Sequence, residues 1–306
     1  MTRTEKLLLI LIVLTVAFMS YITYLHFDTI TKNMKGLISK FKEEEVIVPY
    51  DKTVHHIKYN FKTVKETDNF KPKNLDDIKD IYYTVLNNGW DEFTFYCPKE
   101  YENCIDDVKS IANGNSYLAL LNNYVHPYNT YVKYNTLLVN NKEIHLKIDK
   151  LYSEEDISYI NKKVDEIFNT LNINPNGYKS DNIKKLHNYI IENTHYDSDY
   201  RKGDETISNK ANGALETGIA LCSGYSDLYA IMLSKLQIPN FRVSNEEHIW
   251  NVILNDNKWL HIDVTWDDDE RNKNNTYNFY LISTEELHEK DNDVHAFNID
   301  DYLELK

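Results

Sequence analysis

The side chains of this chain best suited to covalent chemistry are Cys222, His248 and Asp263, met in that order. A thiolate attacks carbonyl carbon, an imidazole holds and returns a proton near neutral pH, and a carboxylate fixes the imidazole tautomer and stabilises its cation. The three together meet the needs of acyl transfer through a thioester. Each alone has a plainer reading, as a buried structural cysteine, a polar strand-end histidine and a loop-facing acid. The elements that carry them decide between the two.

Leu228, Tyr229, Met232, Leu233 and Leu236 recur at helical spacing and stop at Pro239, so Cys222 falls at the N-terminus of a core-facing helix. Unpaired backbone N–H groups and the positive end of the helix dipole favour a thiolate there, and the same N–H groups can face a developing oxyanion. Downstream, "FRVSN", "HIWNVILN" and "KWLHIDVTW" read as three strands, the last two joined by Asp256-Asn257, a two-residue turn. That turn sets Asn255 opposite Lys258. His248 and Asp263 then share one face as diagonal neighbours, roughly 7 Å apart at the backbone, within reach of a carboxylate-to-imidazole hydrogen bond.

The blocks "CSGYSDLYAIMLSKLQIP", "HIWNVILNDNKWLHIDVTWDD" and "YNFYLISTEEL" resemble, in this order, the transglutaminase-like (transglutaminase core) superfamily in its microbial branch. The resemblance covers roughly residues 180–287. It implies an α+β fold with a papain-like core, in which a Cys-bearing helix packs on an antiparallel sheet that presents His and Asp. It also implies Cys222 as nucleophile, His248 as base and Asp263 as orienting acid. One position departs from the pattern: Glu216 lies six residues before Cys222, where papain-like enzymes often place Gln, and a carboxylate there would repel an oxyanion. The backbone N–H of Cys222 is the expected donor instead.

Around this core the sequence divides into four parts: a membrane anchor over 1–27, a stalk or linker over 28–73, a small α+β domain over 74–150 and the catalytic domain over 151–306. Residues 7–25 carry no charge and are long enough to span a bilayer, at about 1.5 Å per residue. Their length and the lack of a small-x-small exit favour an uncleaved anchor over a cleaved signal or a core helix. A short N-terminal tail suits a single-pass protein with its bulk outside the cell, although lysines stand on both sides of the segment. The segment after it is charge-rich around "KFKEEE", while "EVIVPY" and "HHIKYNF" have the composition to add edge strands.

In the small domain Asn74 caps a helix over 75–87, "EFTFY" alternates as a strand, and "TYVKYNTLLV" and "EIHLKID" flank a hairpin turn at 140–142. Cys97 and Cys104 can form a disulfide outside the cell or remain two thiols inside it. His126 before Pro127 reads as a turn histidine. Ser153 with Asp156 forms a capping box ahead of a long helix. Trp250, Trp259 and Trp266 read as core or cleft walls, and the acidic run over 267–270 as a solvated loop, with a calcium site as the sharper alternative.

A net charge of −14 argues against nucleic acid as a partner, since counterion displacement needs a cationic surface. No Gly-rich phosphate loop, CxxC pair or HExxH stretch occurs, so no cofactor or metal is expected. A zinc site from Cys222, His248 and His261 is the weakest candidate, for want of a second thiolate. The expected partners are a peptide or protein substrate, with cell-wall associated ones as candidates, and the membrane through the N-terminal helix. Two functions remain open on the sequence: a thiol acyltransferase or amidohydrolase using Cys222, His248 and Asp263, or a catalytically silent binding or scaffolding module of the same fold.

Overall fold

A computed structural model describes residues 2–27, 29, 31, 34, 45–49, 61–64, 70–140, 142–201, 206–268 and 277–306. Most of "KFKEEE", nearly all of "HHIKYNF", and Asp269 and Glu270 of the acidic run lie outside the described residues. Two compact units emerge, Met1–Val46 and Ile47–Lys306. The first holds helix α1 (Arg3–Leu25), started by a reciprocal cap between Thr2 and Glu5. It is long and apolar enough to cross a membrane.

In the second unit, α2 (Leu75–Asn87) starts where the Asn74 side chain accepts the backbone N–H of Asp77. The residues 61–64, within the segment expected as a linker, pack on it: the Val64 N–H donates to Thr84 Oγ1, and the Phe61 ring stacks on Tyr83. Strand β1 (Glu92–Tyr96), helices α3 (Cys104–Asn113) and α4 (Asn115–Tyr124), and strands β2 (Tyr131–Asn140) and β3 (Glu143–Lys150) follow. The sheet is antiparallel in the order β1-β3-β2, and Ile144, Leu146 and Ile148 turn to its buried face as their alternation requires. Cys97 and Cys104 are joined in a disulfide that ties the end of β1 to the start of α3. His126 accepts the Tyr128 N–H in the turn after α4. The described part of "EVIVPY", residues 45–49, contains no strand.

Helix α5 (Glu154–Thr170) begins at the capping box of Ser153 and Asp156. Helix α6 (Lys179–Asn193), the two-residue strand β4 (His195–Tyr196), the short helix α7 (Ala211–Glu216) and β5 (Ile219–Ala220) lead to α8 (Cys222–Lys235). Ten consecutive residues of α8, from Gly224 to Leu233, are buried. That is why its sequence reads apolar nearly all round. Four antiparallel strands cover it: β6 (Asn240–Ser244), β7 (Ile249–Asn255), β8 (Lys258–Ile262) and β9 (Tyr280–Ile282), hydrogen-bonded in that order. The short helices α9 (Val264–Asp267) and α10 (Thr284–Lys290) flank β9.

The turn between β7 and β8 has the expected length. Asp256 and Asn257 both take positive φ, at 49° and 62°, as a type I′ turn requires, and Asn255 pairs with Lys258. The ladder runs to Asn251 and Ile262, and there the sequence expectation departs from the structure. "DVTW" is a turn of helix rather than strand. The Asp263 side chain accepts the N–H groups of Thr265 and Trp266, and this local cap competes successfully with the ladder. The acidic run is corrected too: Asp267 is fully buried, accepting from His187 Nε2 at 3.0 Å and from the Phe279 N–H at 2.8 Å.

A buried polar network joins α8 to the small sheet's helices. Arg242 on β6 pairs with Asp227 of α8 and donates to the Asn122 carbonyl and to Thr130 Oγ1. Asp227 also accepts from the Tyr152 hydroxyl at 2.7 Å, which itself accepts the Ala211 N–H. Burial pushes the Asp227 carboxyl above its usual range against the opposing charge of Arg242. Removing one partner leaves a buried charge uncompensated. Arg242→Ala is therefore expected to cost about 3–5 kcal/mol in urea unfolding, whereas a surface pair such as Lys109–Asp106 should cost about 1 kcal/mol or less.

Candidate active site

Cys222 is the first residue of α8 and is half-buried. No side chain caps this helix. The segment before it wraps closely around the helix start: Leu221 N–H donates to the Ser208 carbonyl, and Ser223 Oγ to that of Asn209. A Cβ on Gly224 would stand 2.5 Å from the Ser208 carbonyl oxygen and 2.8 Å from that of Lys210. The glycine thus permits the close passage of residues 208–210 over the helix start.

His248 stands just before β7 and Asp263 just after β8. The imidazole Nε2 and the Asp263 Oδ2 are 2.5 Å apart and both side chains are buried. Cys222 lies near enough to the same imidazole to raise its pKa. With Nε2 committed to Asp263, Nδ1 is the nitrogen left to face the thiol. The structure thus brings together all three residues singled out in the sequence.

Burial alone would depress the His248 pKa. The Asp263 carboxylate and Cys222 outweigh it, by charge and by hydrogen bond, and hold the imidazole protonated up to about 10. Burial would likewise raise Asp263. The positive His248 beside it and the donors His248 and His295 reverse that and hold the carboxyl far below the usual carboxylate range. Tyr196, half-exposed on β4, has its hydroxyl pushed up by burial and by the negative charge of Cys222, Asp197 and Asp263, which places it at the same cleft.

His295 and Asp291 were not picked out in the sequence. His295 Nε2 lies 2.8 Å from Asp263 Oδ2, and its Nδ1 lies 2.7 Å from Asp291 Oδ2. Both come from the chain after α10, where "DNDVHAF" shows neither periodicity nor a motif; only an isolated histidine among acids could have drawn attention. Aromatic rings enclose the pair: Trp250 stacks on His248, Phe279 stacks on His295, and Trp266 meets His295 edge-on.

One nitrogen from each of His248 and His295 and an oxygen of Asp263 lie within 4.8 Å of one another, a spacing open to a metal ion. Those atoms already hydrogen-bond to each other, so an ion there would have to displace the His248–Asp263 contact. His261 belongs to a different setting. It accepts from Trp250 Nε1 and meets Thr284 Oγ1, and burial, followed by the charges of His295 and His288, lowers it to about 3. Glu216 is exposed and accepts from Asn212 within α7.

Linkage gives the pair a pH signature. Because His248 keeps its proton in the fold well above its ordinary value of about 6.5, its contribution to stability is complete below that value and is lost as pH rises toward about 10. Denaturant midpoints of the native protein should fall across that window, and those of His248→Gln should fall less steeply.

Residues 170–264, which include Cys222, His248 and Asp263, match the family model of the transglutaminase-like superfamily. No curated protein matches the chain. Among solved structures, a transglutaminase ("Crystal structure of a TGase") aligns with TM-score 0.33 and 16% identity over 44% of this chain and 44% of its own. A candidate cysteine protease from Cytophaga hutchinsonii aligns with TM-score 0.27 and 11% identity over 44% of this chain and 61% of its own. The chain spans less than two thirds of either structure's length. Residues 170–264 thus form a transglutaminase-like domain within the longer chain.

Proposed function

We propose that this protein is a membrane-anchored, extracytoplasmic thiol acyltransferase or amidohydrolase acting on peptide or protein amides. The observation that carries the reading is the buried His248–Asp263 pair at 2.5 Å with Cys222 near the same imidazole. Cys222 attacks the amide carbonyl, and the C–N bond breaks as His248 gives its proton to the leaving amine. Asp263 keeps the imidazole in the donating tautomer and stabilises its charge. The thioester left on Cys222 is then resolved by an amine, giving a cross-link, or by water, giving deamidation or cleavage. The uncapped start of α8 offers the backbone N–H of Cys222 to the oxyanion.

Placement at the cell surface rests on two features. The helix α1 has the length and composition of a membrane anchor, and the disulfide between Cys97 and Cys104 suits an oxidising compartment. Substrates near the cell wall follow from that location.

Residues 45–306, incubated with a glutamine-containing peptide and a primary amine, should yield one of three mass changes. Amine incorporation marks transfer, a one-dalton gain marks deamidation, and two fragments mark cleavage. Cys222→Ala should abolish the change, and Asp263→Asn should slow it on the order of 10³- to 10⁴-fold. A mass change that persists in Cys222→Ala, or iodoacetamide labelling of Cys222 no faster than that of a free thiol, would support the silent binding module instead.

A further inference from the structure

Asp263 is held from a second side. Its Oδ1 accepts the N–H groups of Thr265 and Trp266, and its Oδ2 receives both His248 and His295. Behind His295 stands Asp291, whose carboxylate meets Nδ1. One nitrogen of the His295 ring therefore faces each acid. The ring is fully buried between them.

The backbone repeats the connection. The Asn245 side-chain oxygen accepts the N–H groups of Glu247 and His248, and its amide nitrogen donates to the carbonyls of Val294 and Ala296. These carbonyls flank His295. One carboxamide therefore bridges the backbone at His248 to the backbone on either side of His295. The two histidines that converge on Asp263 are thus tied at their side chains through the acid and at their main chains through Asn245.

We propose that His295 is a positioning residue of the Cys222–His248–Asp263 site, with Asp291 and Asn245 fixing it in place. His295 limits the rotation of the Asp263 carboxylate, so that Oδ2 stays on the His248 Nε2 while the imidazole gains and loses its proton toward Cys222. The segment from Asp291 to Ala296 is then part of the active site, although it lies beyond the residues that match the family. A carboxylate free to turn by even one ångström would leave His248 without its orienting partner, and misplacement of that size costs on the order of 100-fold in rate.

The inference rests on the acyl-transfer reading for its kinetic readout but not for its spectroscopic one. In the native protein the His248–Asp263 proton should give a far-downfield NMR resonance, assigned by its loss in His248→Gln. His295→Ala should shift or broaden that resonance and slow iodoacetamide labelling of Cys222 on the order of 10- to 100-fold. His295→Gln, which keeps a donor toward Asp263, should restore much of both; Asp291→Asn should shift the resonance less than His295→Ala. A folded His295→Ala with both readouts unchanged would overturn the proposal. If that variant does not fold, a resonance and a labelling rate both unaltered in Asp291→Asn would do so. A native protein without the resonance would also contradict it. Slow labelling of the native protein, with the resonance responding to His295, would refute the acyl-transfer reading and leave the positioning role standing.

Discussion

The Asp263 carboxylate is the fixed point of the site. Four donors reach it, two backbone N–H groups and two imidazoles, in a pocket walled by Trp250, Trp266 and Phe279. A buried charge is costly unless it is paired and hydrogen-bonded, and here every interaction that makes the charge tolerable also fixes its orientation. The geometry of His248, and through it the environment of Cys222, follows from that constraint. So does the abrupt change of backbone at residue 263, where the strand ends because the side chain caps α9.

The rest of the fold serves to deliver three backbone segments to this point. Helix α8 is locked from behind by Arg242 and Asp227 and in front by the close passage of residues 208–210 over Gly224. The type I′ turn sets the β7–β8 register, and residues 248 and 263 meet beyond the end of that ladder. Asp267, at the other end of α9, clamps His187 and the Phe279 backbone and thereby holds the helix whose N-terminus Asp263 caps. Two aspartates four residues apart, both buried, thus bracket one short helix.

Much of this was legible in the sequence where local rules act. Asn74, Ser153 with Asp156, and the Asp256-Asn257 turn are short-range signals, and each helix start or pairing they imply is present. The His248–Asp263 contact was legible because parity along paired strands turns a turn length into a distance. What escaped depends on contacts distant in the chain. The burial of Asp267 needs His187, eighty residues earlier, and nothing in "WDDDE" distinguishes a clamped acid from solvated ones. The end of β8 at Ile262 reflects a side chain outcompeting a ladder, a balance that β-propensity does not encode. His295 and Asp291 sit in aperiodic chain and acquire meaning only when folded against Asp263.

The central claim is that Cys222, backed by His248 and Asp263, forms an acyl-enzyme. Its most direct test is peptide mapping by mass spectrometry after brief acid quench of the protein with an activated acyl substrate. The account predicts a thioester-linked acyl group on Cys222, labile to hydroxylamine, and formed far more slowly in His248→Ala. An acyl group found elsewhere, or one that forms on Cys222 at the same rate without His248, would contradict it.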